Sequence, residues 1–264
     1  MLELYHTHNS VCAQKVRIVL AEKGLKWESH HLLLAKGEHQ TPEYFKLNPK
    51  GVVPTLLDDG QVIRESTIIV ENLNETYPEP ALMPATSLDR AQARLWMKRI
   101  DDEIHEPATT TVSFSIALRH IFMEQGEEAC EAWIDKIPTE MFRDRYRDMV
   151  RNGLESVDFR PALKIFKKLF TDLDEWLGAR EWIAGSDYSL ADLSYTPYLT
   201  RFERLNLIEL IERYPNLFDW YGRMKSRRAY DIAIVQWDDP HYVGAMRENG
   251  IRAQAEVRRI FDEL

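Results

Sequence analysis

Residues Asn48 to Thr67 read NPKGVVPTLLDDGQVIREST. Val53 precedes Pro54 inside an apolar run, and an X-Pro bond between a loop and a strand is either trans or cis. In the cis form the chain turns sharply, and the Val53 N–H and C=O are free to pair with an extended peptide, as in strand addition. In the trans form Pro54 merely opens a strand at a sheet edge. Val52 to Leu57 and Gln61 to Ile63 have strand composition. Asp58-Asp59-Gly60 between them is a turn signal, so the pair reads as a hairpin. Glu65-Ser66 then starts a helix. Ser66 caps it, and its N–H and hydroxyl also suit a carboxylate. Together these features can hold a small peptide by its backbone and its carboxylate at once.

Outward from this stretch the pattern is that of an α/β layer. Leu2 to Tyr5 alternates as a first strand, and His6 to Asn9 is a polar loop. Val11 to Lys23 is helical, with Cys12, Val16, Val19 and Leu20 on one face and Gly24 at its end. Trp27 to Leu34 reads as a second strand, Lys36 to Leu47 as a short irregular helix, and Ser66 to Tyr77 as a covering helix. Residues 1–80 therefore form one domain. Pro78, Pro80 and Pro84 mark a linker over 78–88.

Residues 89–264 read as an all-helical domain. Asp89 to Arg119 is one long helix or one interrupted at Pro107. Gly126 to Gly153, charged and carrying Pro138, is predicted to be an insertion or a long loop with helical pieces. Pro161 to Leu177 is amphipathic, with Ile165, Leu169, Leu173 and Trp176 on one face. Helices follow over Leu190 to Leu205 and Tyr214 to Lys225. The charged tail from Pro240 is expected to be helical and on the surface. Ser189-Leu190-Ala191-Asp192 is a capping box with Asp in place of Glu, which is a folding signal.

Composition narrows the function. A net charge of −9 over 264 residues argues against a nucleic-acid partner, which needs a basic face. There is no apolar run of membrane-spanning length and no secretory start. Cys12 and Cys130 are the only cysteines, so a reducing cytoplasm is the simpler expectation. Histidines at 6, 8, 30, 31, 39 and 105 invite a metal reading, but no ligand spacing completes one, and none is expected. No P-loop, dinucleotide-binding glycine motif or nucleophile elbow is present.

Ser10 and Cys12 stand where the first helix begins, and a helix N-terminus favours an anion or a thiolate. Ser10 either caps the helix or donates a hydrogen bond to a ligand thiolate. Cys12 is either part of the apolar stripe or a nucleophile.

These segments resemble the glutathione transferase superfamily over essentially the whole chain. LYHTHNSVCAQKVRIVLAEKG is similar to the first strand and helix of its thioredoxin-like domain. NPKGVVPTL resembles the cis-proline loop, and ESTIIVENL the Glu-Ser helix. WIAGSDYSLADLSYTPYL and YPNLFDWYGRMKSRRAY resemble helical-domain segments. The resemblance implies a thioredoxin-like domain followed by an all-α domain, usually as a homodimer, and a cytoplasmic detoxifying transferase with glutathione as co-substrate. Ser10 matches the catalytic serine of theta- and zeta-like members, and its implied role is to stabilise the glutathione thiolate. His39 is implied near the glycyl end, Val53 and Pro54 at the cysteinyl backbone, and Glu65 and Ser66 at the γ-glutamyl end. A hydrophobic electrophile is expected between the domains, against Trp96, Arg99, His105 and Thr109. The Ser-x-Cys spacing and Trp182 to Tyr230 resemble zeta-like members and reductive dehalogenases, in which a protein thiol can form a mixed disulfide with glutathione. The charged stretch 126–153 is similar to bacterial aryl-ether-cleaving enzymes. Elongation-factor and ion-channel relatives leave a non-catalytic ligand carrier as a third reading.

Overall fold

A computed structural model describes residues 1–264. The first domain is a four-stranded sheet in the order β2-β1-β3-β4. Its strands are β1 (Leu2–His6), β2 (Trp27–His31), β3 (Thr55–Asp58) and β4 (Gln61–Arg64). β1 runs parallel to β2, with α1 (Val11–Glu22) as the crossover, and antiparallel to β3. Gly24 ends α1 at φ +61°, and the Leu25 N–H returns to the Leu20 carbonyl at 2.9 Å. That is the C-terminal closure a glycine permits. α2 (Pro42–Leu47) and α3 (Ser66–Thr76) complete the domain. β2 stops at His31, short of the expected Leu34, because Leu34–Lys36 winds into a 3₁₀ turn. β3 starts at Thr55, since Val52 to Pro54 are the loop itself.

α1 is buried almost throughout. It lies between α3 and the helix Leu190–Arg204, so even Gln14, Lys15 and Arg17 are covered. The second domain opens with α4 (Ser87–Arg99), which continues without a break to Met123. Over Ile100–Thr110 this rod widens to a π-helix around Pro107. Proline has no N–H for the α-helical ladder, and a threonine run catches loosened carbonyls. Thr109 Oγ1 donates to Ile104 O at 3.0 Å, and Thr111 Oγ1 to Pro107 O at 3.1 Å. The rod is therefore neither interrupted nor regular at Pro107.

Residues 126–153, expected as an insertion or a long loop with helical pieces, are mainly two helices, Glu127–Asp135 and Glu140–Asn152. The tail differs from expectation. The helix Pro240–Glu263 buries Met246, Gly250, Ala253, Val257 and Phe261 along one face. At Gly250 a β-carbon would stand 1.8 Å from the Leu205 carbonyl oxygen. Gly250→Ala should therefore cost about 1–3 kcal/mol by overpacking, read as a lower urea midpoint at unchanged slope. An unchanged midpoint would mean that the helix moves off freely. No helix is long and apolar enough to cross a membrane.

Candidate active site

The loop before β3 is held in place by its own residues. The Val53–Pro54 bond is cis. Tyr44 Oη and Asn48 Nδ2 both donate to the Val52 carbonyl at 2.8 Å. Gly51 sits at φ +60°, and a β-carbon there would meet the Phe45 ring at 2.6 Å. Neither the N–H nor the carbonyl of Val53 has a partner within the chain, so the edge needed to bind an extended peptide is open. Next to it, Glu65 holds φ +65° at the entry to α3 without capping the helix by its side chain. Its carboxylate instead pairs with Lys50 Nζ at 2.7 Å. The first-turn N–H groups of α3, beginning at Ser66, thus remain available to an anion.

The two candidates at the start of α1 part company. Ser10 Oγ accepts from the Ala13 N–H at 3.2 Å, so it caps the helix. Cys12 Sγ lies 3.4 Å from His105 Nε2 and 3.6 Å from Nδ1. It opens on a cleft of about 690 Å³ whose other walls include Val53, Pro54, Glu65, Ser66 and Asp101. Burial pushes the Cys12 thiol up. The charges of His105 and Lys15, with hydrogen bonds from His105 and Ser66, outweigh that and bring it down to about 6. Burial lowers His105, but the neighbouring Cys12 thiolate raises it further, and the net direction is upward. The pair therefore favours a thiolate beside an imidazolium.

A smaller cavity of about 160 Å³ adjoins the cleft. Ser10, Thr109, Phe114 and Arg201 line it, while His39, Val53, His105, Trp133 and Tyr146 line both spaces. His39 is buried, and burial takes its imidazole down to about 4, so it is neutral at pH 7.

Two expected electrophile-site residues lie elsewhere. The Trp96 ring packs against Trp176 and Tyr195 inside the helical domain. Arg99 bridges Asp172 at 2.8 Å and Glu103 at 3.2 Å. Neither lines the cleft or the cavity. The rod widens between the two pairs to the π-helix Ile100–Thr110, so Trp96 and Arg99 turn to Trp176 and Asp172 while His105 and Thr109 turn to the cavity.

Reading the sequence missed Lys15, Trp133, Tyr146 and Arg201. Trp133 and Tyr146 come from the helix pair over 127–152. That pair roofs the cleft through Trp133 Nε1, which donates to the Leu34 carbonyl at 2.9 Å, and Gln40 Nε2, which donates to the Trp133 carbonyl at 3.1 Å. Aromatic residues inside a charged stretch were the available signal. Side chains of metal-ligating type come together in one place, where oxygen and nitrogen atoms of Glu3, Glu28 and His30 lie within 4.8 Å of one another. His30 Nε2 already hydrogen-bonds Glu3 Oε2 there at 2.9 Å.

The chain and its fold are similar to those of known proteins. The tetrachloro-p-hydroquinone reductive dehalogenase of Sphingobium chlorophenolicum is 27% identical over 93% of this chain and 99% of its own. Glutathione S-transferase Z1 of Arabidopsis thaliana is 36% identical over 89% of this chain and 92% of its own. The crystal structure of the beta-etherase LigF from Sphingobium sp. strain SYK-6 superposes with a TM-score of 0.80, at 26% identity, over 89% of this chain and 99% of that one. The N-terminal domain of glutathione S-transferase matches residues 9–76 and its C-terminal domain residues 129–223, which between them hold the peptide edge, Cys12 and the roof of the cleft: the chain belongs to the glutathione S-transferase family.

Proposed function

We propose that the protein is a glutathione-dependent enzyme acting on a hydrophobic, ring-sized electrophile, with Cys12 as a second thiol. One observation carries this reading: Cys12, and not Ser10, opens onto the cleft floor beside Val53, Glu65 and Ser66. Glutathione would place its γ-glutamyl carboxylate on the first turn of α3 and its cysteinyl backbone on Val53. Its sulfur would then point at the N-terminus of α1. There the thiolate displaces a leaving group from the electrophile, giving a glutathionyl conjugate and the departing anion. The Cys12 thiolate attacks the sulfur of the conjugate. The carbon leaves as a carbanion equivalent and takes a proton, for which the His105 imidazolium is the nearest acid. The product is the reduced carbon compound, and Cys12 is left as a mixed disulfide. A second glutathione releases Cys12 and departs as glutathione disulfide. Two glutathiones thus supply the two electrons.

Simple transfer, ending at the conjugate with Ser10 supporting the thiolate, is the second reading. It is favoured by the place of Ser10 on the adjoining cavity wall. A homodimer through α3 and α4 fits either reading, because Leu88 and Leu95 are 77% and 63% exposed on α4. The test is turnover of tetrachloro-p-hydroquinone with glutathione, followed by acid quench and whole-protein mass measurement. Wild type should gain one glutathionyl mass and yield glutathione disulfide together with dechlorinated product. Cys12→Ser should stop at the conjugate. Full disulfide yield from Cys12→Ser would sink the two-thiol scheme, and no thiol consumption by either would leave only the carrier reading.

A further inference from the structure

Arg201 is 5% exposed, on a helix whose other buried residues are mostly apolar. A guanidinium has five N–H donors and needs acceptors for them when buried. Within the chain Arg201 donates only to the Asn9 carbonyl, and it has no carboxylate partner. The contrast with Arg17 is instructive. Arg17 is equally buried, but the carbonyls of Ala233, Thr7 and His8 and the ring of His6 surround it at 2.7 to 3.1 Å. Arg204, whose charge acts on Arg201, is itself paired with Asp238. Arg201 is one of the residues that line the smaller cavity. The one acidic residue on that wall, Glu106, lies 3.9 Å from His105. Burial lowers the guanidinium to about 9, which leaves it charged at pH 7.

The rest of the cavity suits a ring. The cavity has an aromatic wall, in which Phe114, Phe122, Trp133 and Tyr146 pack against one another, with Phe122 to Trp133 at 4.5 Å and Phe114 to Tyr146 at 4.7 Å between centroids. Its volume of about 160 Å³ is close to the roughly 150 Å³ that holds benzene in an engineered protein cavity. The cavity shares His105 with the cleft that Cys12 lines, so a ring held at Arg201 lies in a space continuous with the thiol.

We infer that the electrophile is an aromatic carboxylate, and that Arg201 receives its carboxylate at the floor of the smaller cavity while the reacting carbon faces Cys12. Arg201 then acts as the specificity determinant of the proposed reaction, on which this inference rests. A guanidinium fork binds a carboxylate through two parallel N–H bonds, and a desolvated site makes that contact selective against neutral isosteres.

The test gives the full chain glutathione and two electrophiles of one shape, 4-chloro-3-nitrobenzoate and its methyl ester. Wild type should prefer the acid in kcat/KM, chiefly through KM. Arg201→Met should lower the acid-to-ester ratio roughly 10- to 150-fold, the span for one lost charge-assisted contact, and Arg201→Lys should restore part of it. An equal ratio in wild type and Arg201→Met overturns the inference. Quenching of tryptophan fluorescence by 3-nitrobenzoate and 3-nitrobenzamide, without glutathione, separates this inference from the proposed function and needs only wild type. Tighter benzoate binding supports the anion site even if neither electrophile turns over, and equal binding of the two overturns it even if Arg201→Met does not fold.

Discussion

A His105→Ala substitution should move the Cys12 thiolate titration from about 6 to the ordinary cysteine range near 8.5 or above. The direction follows from what surrounds the sulfur. Burial alone raises a thiol, and Cys12 stays low because the His105 charge, Lys15 and two hydrogen bonds outweigh it. His105 is the largest of those favourable influences and sits 3.4 Å away. Its own pKa is raised, so the imidazolium and the thiolate coexist between about pH 6 and the raised titration of the histidine. At pH 7 a pKa near 6 leaves about 90% of the thiol ionised, and one near 8.5 about 3%. Alkylation by iodoacetamide at that pH should therefore slow, by at most about thirtyfold, since the more basic thiolate that remains is more nucleophilic. The measurement is thiolate ultraviolet absorbance against pH in a Cys130→Ser background, so that one sulfur reports. His105→Gln separates the two contributions, since it retains hydrogen bonding but not charge. Coincident curves for wild type and His105→Ala would assign the low value to Lys15 and the helix start, and would take His105 out of the proposed reaction.

The first domain was legible in the sequence because its signals are local. The Asp58-Asp59-Gly60 turn, the glycine after α1 and the Glu-Ser helix start each act over a few residues, and each element falls within a few residues of its expected place. The peptide edge at Val53 was only half legible, since local sequence left the Val53–Pro54 bond either cis or trans and the fold sets it cis. The helical domain was less so, because a helix's rotation about its axis is set by what it packs against. Trp96 and Arg99 were grouped with His105 and Thr109 by proximity in sequence, while Asp172 and Trp176 draw the first pair the other way. The roles at the start of α1 turn on a competition that no sequence shows. Ser10 Oγ accepts from the Ala13 N–H and lines the smaller cavity, while the sulfur two residues on lines the cleft. Arg201 was invisible for a related reason: a charge in a buried helix stands out only once its missing partner is seen.

Asp192→Ala should be the most damaging single change to the fold, about 3–5 kcal/mol, as for removal of one side of a buried charged network. The carboxylate is fully buried and accepts from the Ile183 N–H at 2.8 Å, the Ser189 N–H at 2.9 Å and Trp220 Nε1 at 2.9 Å. Those three donors come from the approach to the helix Leu190–Arg204, from its cap, and from the helix Pro215–Ser226, so one side chain ties three segments. Burial drives its carboxyl up to about 6 even against these bonds. Alanine would strand all three donors at about 1–3 kcal/mol each, before the structure relaxes. Against a total stability of about 5–15 kcal/mol, that leaves little folded protein at moderate temperature. The helix also carries Tyr195, whose hydroxyl donates to the Trp96 carbonyl at 2.8 Å, and Arg201 on the loop before α1. Its loosening should therefore reach the cleft. Ser189→Ala removes only the cap hydroxyl and should cost about 1 kcal/mol. Asp192→Asn retains one acceptor but turns an N–H₂ toward a donor, and should fall between the two. Urea midpoints for the three variants rank these terms. Equal midpoints for Asp192→Ala and Ser189→Ala would mean that the hydroxyl alone organises the helix start, and that the buried carboxylate is a passenger.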